Sequence, residues 1–193
     1  HTTHRSAGCG LCWASMVVTY LTGVEFPLID SLDLSMTVNA NHSPGTDMDL
    51  FAPYVAERFD LDLEMTDDPE RLRQHLLRGG MAIANVTGDR PEDGYVGLFS
   101  HGGHYVAVVA IEEDGEHITV LDPSQLPDKF LEEGRRGKVV ENGYCLHTTL
   151  SILAEDCKFR PMECYPEGEF RSWMEFDGRT VHNRYYLFGK KVK

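Results

Sequence analysis

Apolar residues recur at helical spacing after Cys12. Trp13, Met16, Val17, Tyr20 and Leu21 fall on one face, and Gly23 stands where such a helix would stop. GTDMDLFAPYVAERF (45–59) predicts a second helix, capped by Thr46 or Asp47, with Pro53 as a kink. LDLEM (61–65) alternates as a short strand does. DDPERLRQHLLRGG (67–80) is a well-signalled helix: Asp67 or Asp68 caps it, Pro69 sits early, Leu72, Leu76 and Leu77 form its buried face, and Gly79 ends it. MAIANV (81–86) has the look of a buried strand. The Gly-, Pro- and Asp-rich stretch 88–103 then reads as a surface loop. HYVAVVAI (104–111), the turn EEDGE and HITVLDP (117–123) predict a β-hairpin. Residues 126–143 are charged and glycine-rich and read as irregular, 148–157 as a short helix, and RTVHNRYYLFGKK (179–191) as a last strand.

Helices first and an antiparallel sheet later predict an α+β fold rather than a doubly wound parallel sheet. The 193 residues suit one domain, 1–193, with 1–80 mainly helical and 81–193 mainly β. There is no internal repeat and no low-complexity segment.

Charge narrows the partners. With 18 basic against 31 acidic residues the formal charge is −13, so phosphate is repelled and a nucleic-acid partner is not expected. The longest apolar run, YVAVVAI, falls far short of the roughly 20 residues of a spanning helix, and no membrane insertion is expected. The chain opens on His rather than Met, which reads as trimming. No signal segment is visible, and an extracellular or exported setting is the favoured expectation. Five cysteines, Cys9, Cys12, Cys145, Cys157 and Cys164, make an odd and sparse set, not a disulfide scaffold. Cys145, Cys157 and Cys164 read as structural, with a disulfide among them in an exported protein.

Three residues in order carry the candidate chemistry. A cysteine at a helix start feels the positive end of the peptide dipoles, which favours thiolate. Hydrolysis then needs an imidazole within reach and a group to orient it. His104 opens the most apolar strand after SHGG, and Asp122 closes its hairpin partner in VLDPS. A tight turn between the strands puts His104 and Asp122 at the same hairpin end. Singly, each has a bland reading: a small buried thiol, a strand-end histidine, a common Asp-Pro turn. The ordered set points to an enzyme.

GCGLCWASMVVTYLTG (8–23), GGHYVAVVAI (102–111) and VLDPS (120–124) together resemble the papain-like cysteine peptidases of the bacteriocin-processing, double-glycine branch. GTDMDL and LLRGGMAIANV extend the resemblance over most of 8–124. It implies a Cys-His-Asp hydrolase in which a helical part and an antiparallel sheet face each other across a cleft, with His104 as base and Asp122 orienting it. Two registers fit the nucleophile. Cys9-Gly10, Ser15-Met16 and Tyr20 match the bacteriocin-processing pattern and nominate Cys9. CGLCWA also matches papain's own pattern, which nominates Cys12. The longer register favours Cys9. Both registers usually carry a glutamine about six residues earlier as an oxyanion donor. Here the first glutamine is Gln74, so the backbone amide of the nucleophile and a substitute such as Thr2, Thr3 or His4 would serve. Losing one donor typically costs on the order of 100- to 1000-fold in rate.

The expected activity is therefore a cysteine-type peptidase or amide hydrolase, Cys9, His104 and Asp122 acting on a peptide or protein substrate with no metal or organic cofactor. Deamidation, transamidation or cell-wall peptide cleavage would use the same site. A catalytically silent peptide-binding module is the alternative from another class. A zinc reading draws on His1, His4, Cys9 and Cys12, but only four residues separate the pairs where zinc modules leave about a dozen or more. His101 and His104 of HGGH lack a third ligand. RLRQHLLR reads as a solvated helix face, and EEGRRGK as a charged loop near the cleft edge, placed to contact substrate.

Overall fold

The computed structural model describes residues 8–42, 45–158 and 183–192. They form an α+β structure of five helices around a seven-stranded antiparallel sheet. The helices are α1 (Cys9–Thr22), α2 (Leu28–Thr37), α3 (Met48–Arg58), α4 (Pro69–Leu77) and α5 (Leu150–Asp156). Strands β1 (Asn41–His42) and β2 (Gly45–Thr46) make a small ribbon. The main sheet contains β3 (Leu61–Thr66), β4 (Met81–Val86), β5 (His104–Ile111), β6 (His117–Leu121), β7 (Val140–Asn142), β8 (Cys145–Thr149) and β9 (Tyr185–Lys190). Its order is β3-β9-β4-β5-β6-β8-β7, every neighbour antiparallel.

Side chains alternate across a strand, so each central strand feeds two cores. Ile83, Ala107, Tyr186 and Phe188 pack with α1 and α3, through Trp13, Val17, Phe51 and Val55. Ala82, Ala84, Val106, Val108, Tyr185 and Leu187 pack on the other side with Leu72 and Leu76 of α4 and Leu150 and Leu153 of α5. Burial of both faces explains why MAIANV and HYVAVVAI are nearly continuous apolar runs rather than alternating ones.

Local chemistry sets the ends. Asp47 caps α3, accepting from the amides of Asp49 and Leu50, and Asp68 caps α4 through Glu70. Gly23 closes α1 at φ 71°, the left-handed geometry that favours glycine.

Several expectations need correction. Met16 and Tyr20 are exposed; the buried face of α1 runs through Leu11, Trp13, Ala14, Val17, Val18 and Leu21. Leu77 is exposed too. Helix α2 carries no strong apolar stripe, since its fully buried positions are Ser31 and Ser35. The stretch 88–103 is not simply a surface loop: Arg90, Leu98 and Phe99 are buried. Residues 126–143 include a 3-10 turn, Lys129–Leu131, and β7. Strand β8 precedes α5, and β3 of the mainly helical half belongs to the sheet. The part of the last strand expected over 179–182 lies outside the described residues.

Candidate active site

Cys9 is the first residue of α1, after Gly8, which offers no side-chain cap. The helix start is drawn tightly onto the sheet. A Cβ at Gly10 would lie 3.0 Å from Met48 Cε, 3.2 Å from Thr46 Cβ and 3.4 Å from Tyr105 Cδ2, so the close approach favours a residue without a side chain. Trp13 Nε1 donates to the Tyr105 carbonyl at 2.9 Å, and the Tyr105 hydroxyl donates to the Thr46 carbonyl at 2.9 Å. The first contact pins α1 to the residue that follows His104, and the second ties that residue to β2.

His104 begins β5, paired with Val86 of β4. Asp122 directly follows β6, and the hairpin brings it to the same end, where His104 Nε2 meets Asp122 Oδ1 at 2.9 Å. The ring also hydrogen-bonds the side chain of Cys9. With Nε2 committed to Asp122, Nδ1 is the nitrogen left for sulfur. Burial opposes a charge on the imidazole. The hydrogen bonds to Asp122 and Cys9 and the negative charges of both outweigh it, and push the His104 pKa up to about 9.

The Asp122 side chain is fully buried. It accepts from the Ser124 amide at 2.8 Å and from Lys129 Nζ at 2.6 Å. Burial works against its ionisation, but the hydrogen bonds from His104 and Lys129, the Lys129 charge and the Ser124 amide hold it below the ordinary carboxylate range.

The structure thus brings Cys9, His104 and Asp122 into one hydrogen-bonded set. Cys12 lies three residues along α1, half-buried, and burial followed by the charge of Cys9 raises its pKa. The thiol bonded to the imidazole is Cys9. Thr2, Thr3, His1 and His4, named above as oxyanion or zinc candidates, lie outside the described residues, as does Cys164. Cys145 and Cys157 are free thiols.

His101 does not join His104. Its Nδ1 pairs with Asp89 at 3.0 Å and its Nε2 with Glu132 at 3.1 Å. Arg135 of EEGRRGK is buried rather than offered to a substrate: Nε donates to the Gly97 carbonyl at 2.7 Å, and the guanidinium pairs with Glu132. Among the described residues, one group has metal-ligand spacing: Glu112, Asp114 and His117, exposed at the β5–β6 turn. Sequence reasoning missed Lys129. A lysine in a charged, irregular stretch gives no signal; only burial beside Asp122 sets it apart.

Compared with protein-family models, with curated proteins and with solved structures, the chain matches none.

Proposed function

We propose that this chain is a cysteine-type peptidase or amide hydrolase with Cys9 as nucleophile, His104 as acid–base group and Asp122 as the orienting residue. One observation carries the reading: a single imidazole bonded to a helix-start thiol on one side and to a buried carboxylate on the other. The resemblance of GCGLCWASM, GGHYVAVVAI and VLDPS to papain-like peptidases of the bacteriocin-processing branch supports it independently.

The chemistry follows from that arrangement. Proton transfer from Cys9 Sγ to His104 yields thiolate and imidazolium. Attack of sulfur on the substrate carbonyl carbon gives a tetrahedral oxyanion, close to the first amides of α1, whose N–H groups point out of the helix end. Collapse breaks the C–N bond as His104 returns its proton to the leaving amine. Water, giving a proton to His104, then hydrolyses the thioester, and Cys9 leaves as thiol. Asp122 fixes the ring's tautomer and plane throughout.

Mass-spectrometric mapping of brief iodoacetamide labelling at neutral pH tests the assignment. Cys9 takes the adduct first, and the His104→Ala variant labels it at least tenfold more slowly. Equal, slow labelling of both proteins would leave a silent peptide-binding module. Rapid labelling of Cys12 with Cys9 spared would move the nucleophile. Cleavage of an unstructured protein substrate by the wild type, lost in Cys9→Ala, completes the test.

A further inference from the structure

The proposed triad ends at Asp122, yet the hydrogen-bonded cluster does not. Oδ1 of Asp122 receives His104 Nε2 at 2.9 Å and the Ser124 amide at 2.8 Å. Oδ2 receives Lys129 Nζ at 2.6 Å, and the same ammonium donates to the Ser124 carbonyl at 3.1 Å. Both oxygens are engaged, so the plane of the carboxylate is set. The Lys129 side chain is 5% exposed and the Asp122 side chain 0%; neither charge would be tolerated there without the other.

The backbone is shaped to deliver this contact. Asp128 adopts φ 60° and ψ 11°, a left-handed conformation that aspartate enters more readily than most residues with a side chain. It turns the chain directly into the 3-10 turn that holds Lys129. The next residue, Phe130, is buried edge-on against Phe99 with centroids 6.1 Å apart, which anchors the turn.

We infer that Lys129 is a positioning residue for the Cys9–His104 pair: it locks the Asp122 carboxylate against the imidazole and balances the charge buried there. This rests on the reading of Cys9, His104 and Asp122 given above.

The physical consequence concerns protons. The titratable groups that act most strongly on His104 are Cys9 from α1 and Asp122 from the end of β6; those that act most strongly on Asp122 are His104 and Lys129. Across the ladder β4 presents Val86, which carries no charge. With Lys129 present, thiolate, imidazolium, carboxylate and ammonium cancel. Without the ammonium the cluster is left with a net negative charge, and every proton in it is held more tightly.

The test is the pH profile of Cys9 alkylation by iodoacetamide in the full chain. Lys129→Met and Lys129→Gln move both limbs of the profile upward by about one pH unit, so alkylation at pH 6 slows on the order of tenfold. Lys129→Arg, which keeps the charge, holds the wild-type profile. The Gln variant still donates a hydrogen bond toward Asp122, so it supplies the readout if the Met variant does not fold. Folded Met or Gln variants with unmoved limbs overturn the inference, whatever their melting temperatures, because a merely structural lysine would change stability alone. A wild-type Cys9 that never alkylates rapidly overturns the proposed function first, and this inference with it.

Discussion

Two buried carboxylates, Asp122 and Asp156, show how surroundings decide what an acid does. Asp122 faces an imidazole, an ammonium and one backbone amide, and is held below the usual carboxylate range. Asp156, at the end of α5, is equally buried. It accepts from the Tyr95 hydroxyl at 2.8 Å and from the amides of Leu98 at 2.7 Å and Phe99 at 3.4 Å. There burial wins over those donors and over the nearby charge of Arg90, and the pKa rises. Neutral donors suffice to tie the 88–103 stretch to α5; they do not offset the loss of water around a charge. Cationic partners do, and they favour the ionised form of Asp122 beside His104. One acid is a clamp and the other an electrostatic partner.

The comparison can be broken in four ways, taken from the largest effect down. Asp156→Ala leaves two amides and a phenol without an acceptor. Each orphaned donor costs about 1–3 kcal/mol, so unfolding in urea should come earlier by about 3–5 kcal/mol, while Cys9 alkylation in the folded protein stays within about twofold. A large loss of alkylation would erase the division of roles.

Asp122→Asn should do the reverse. It strands Lys129 but keeps one acceptor, so it costs about 2–3 kcal/mol, and it slows Cys9 alkylation on the order of tenfold or more.

The third test is pH. His104 has its folded-state pKa raised from 6.5 to about 9, so its contribution is complete below pH 6.5 and disappears as pH climbs through 9. Melting temperature should fall across that window, by the equivalent of about 3 kcal/mol, and Asp122→Asn should flatten the fall. On the acid side the two carboxylates oppose each other. The stabilisation from Asp122 is present above the ordinary carboxylate pKa and is lost as pH drops through its lowered value. That from Asp156 is lost as pH rises through its raised value. Asp156→Asn should therefore make stability less sensitive to pH as it rises above the ordinary carboxylate value.

The smallest effect belongs to Gly10→Ala. The added methyl meets Met48 Cε and Thr46 Cβ, and Met48 can swing away at its tip, so about 1–2 kcal/mol is expected, with slower alkylation as Cys9 shifts from His104.

Much of this arrangement was readable before any coordinates, for identifiable reasons. The length of the two apolar runs either side of EEDGE puts His104 and Asp122 at one hairpin end, because strand geometry leaves little choice. Side chains that compete for local amides narrow the helix caps to Thr46 or Asp47 and to Asp67 or Asp68, and the structure selects Asp47 and Asp68. The choice between Cys9 and Cys12 was not readable from spacing alone. Both sit in one helical turn, and which sulfur meets the imidazole depends on how α1 is rolled against β5. That roll is set by the close approach at Gly10 and by Trp13 reaching the Tyr105 carbonyl, contacts that span the chain. The same roll exposes Met16 and Tyr20, which periodicity alone assigns to the buried side. Helix α2 escaped notice because serines, not leucines, fill its buried positions; Ser31 is accommodated there by donating to the Leu11 carbonyl at 3.1 Å. Lys129 was illegible for the opposite reason, since its polarity matches a surface residue and its burial is purely tertiary.

Strand β9, the last in the chain, lies between β3 and β4 rather than at a rim. Until residues 185–190 have been made, β3 has no partner in the sheet, although β4, β5 and β6 can already pair. Pairings so distant in sequence are slow to form. Strand β3 is made early and joins the sheet only once its single neighbour, far downstream, has been made.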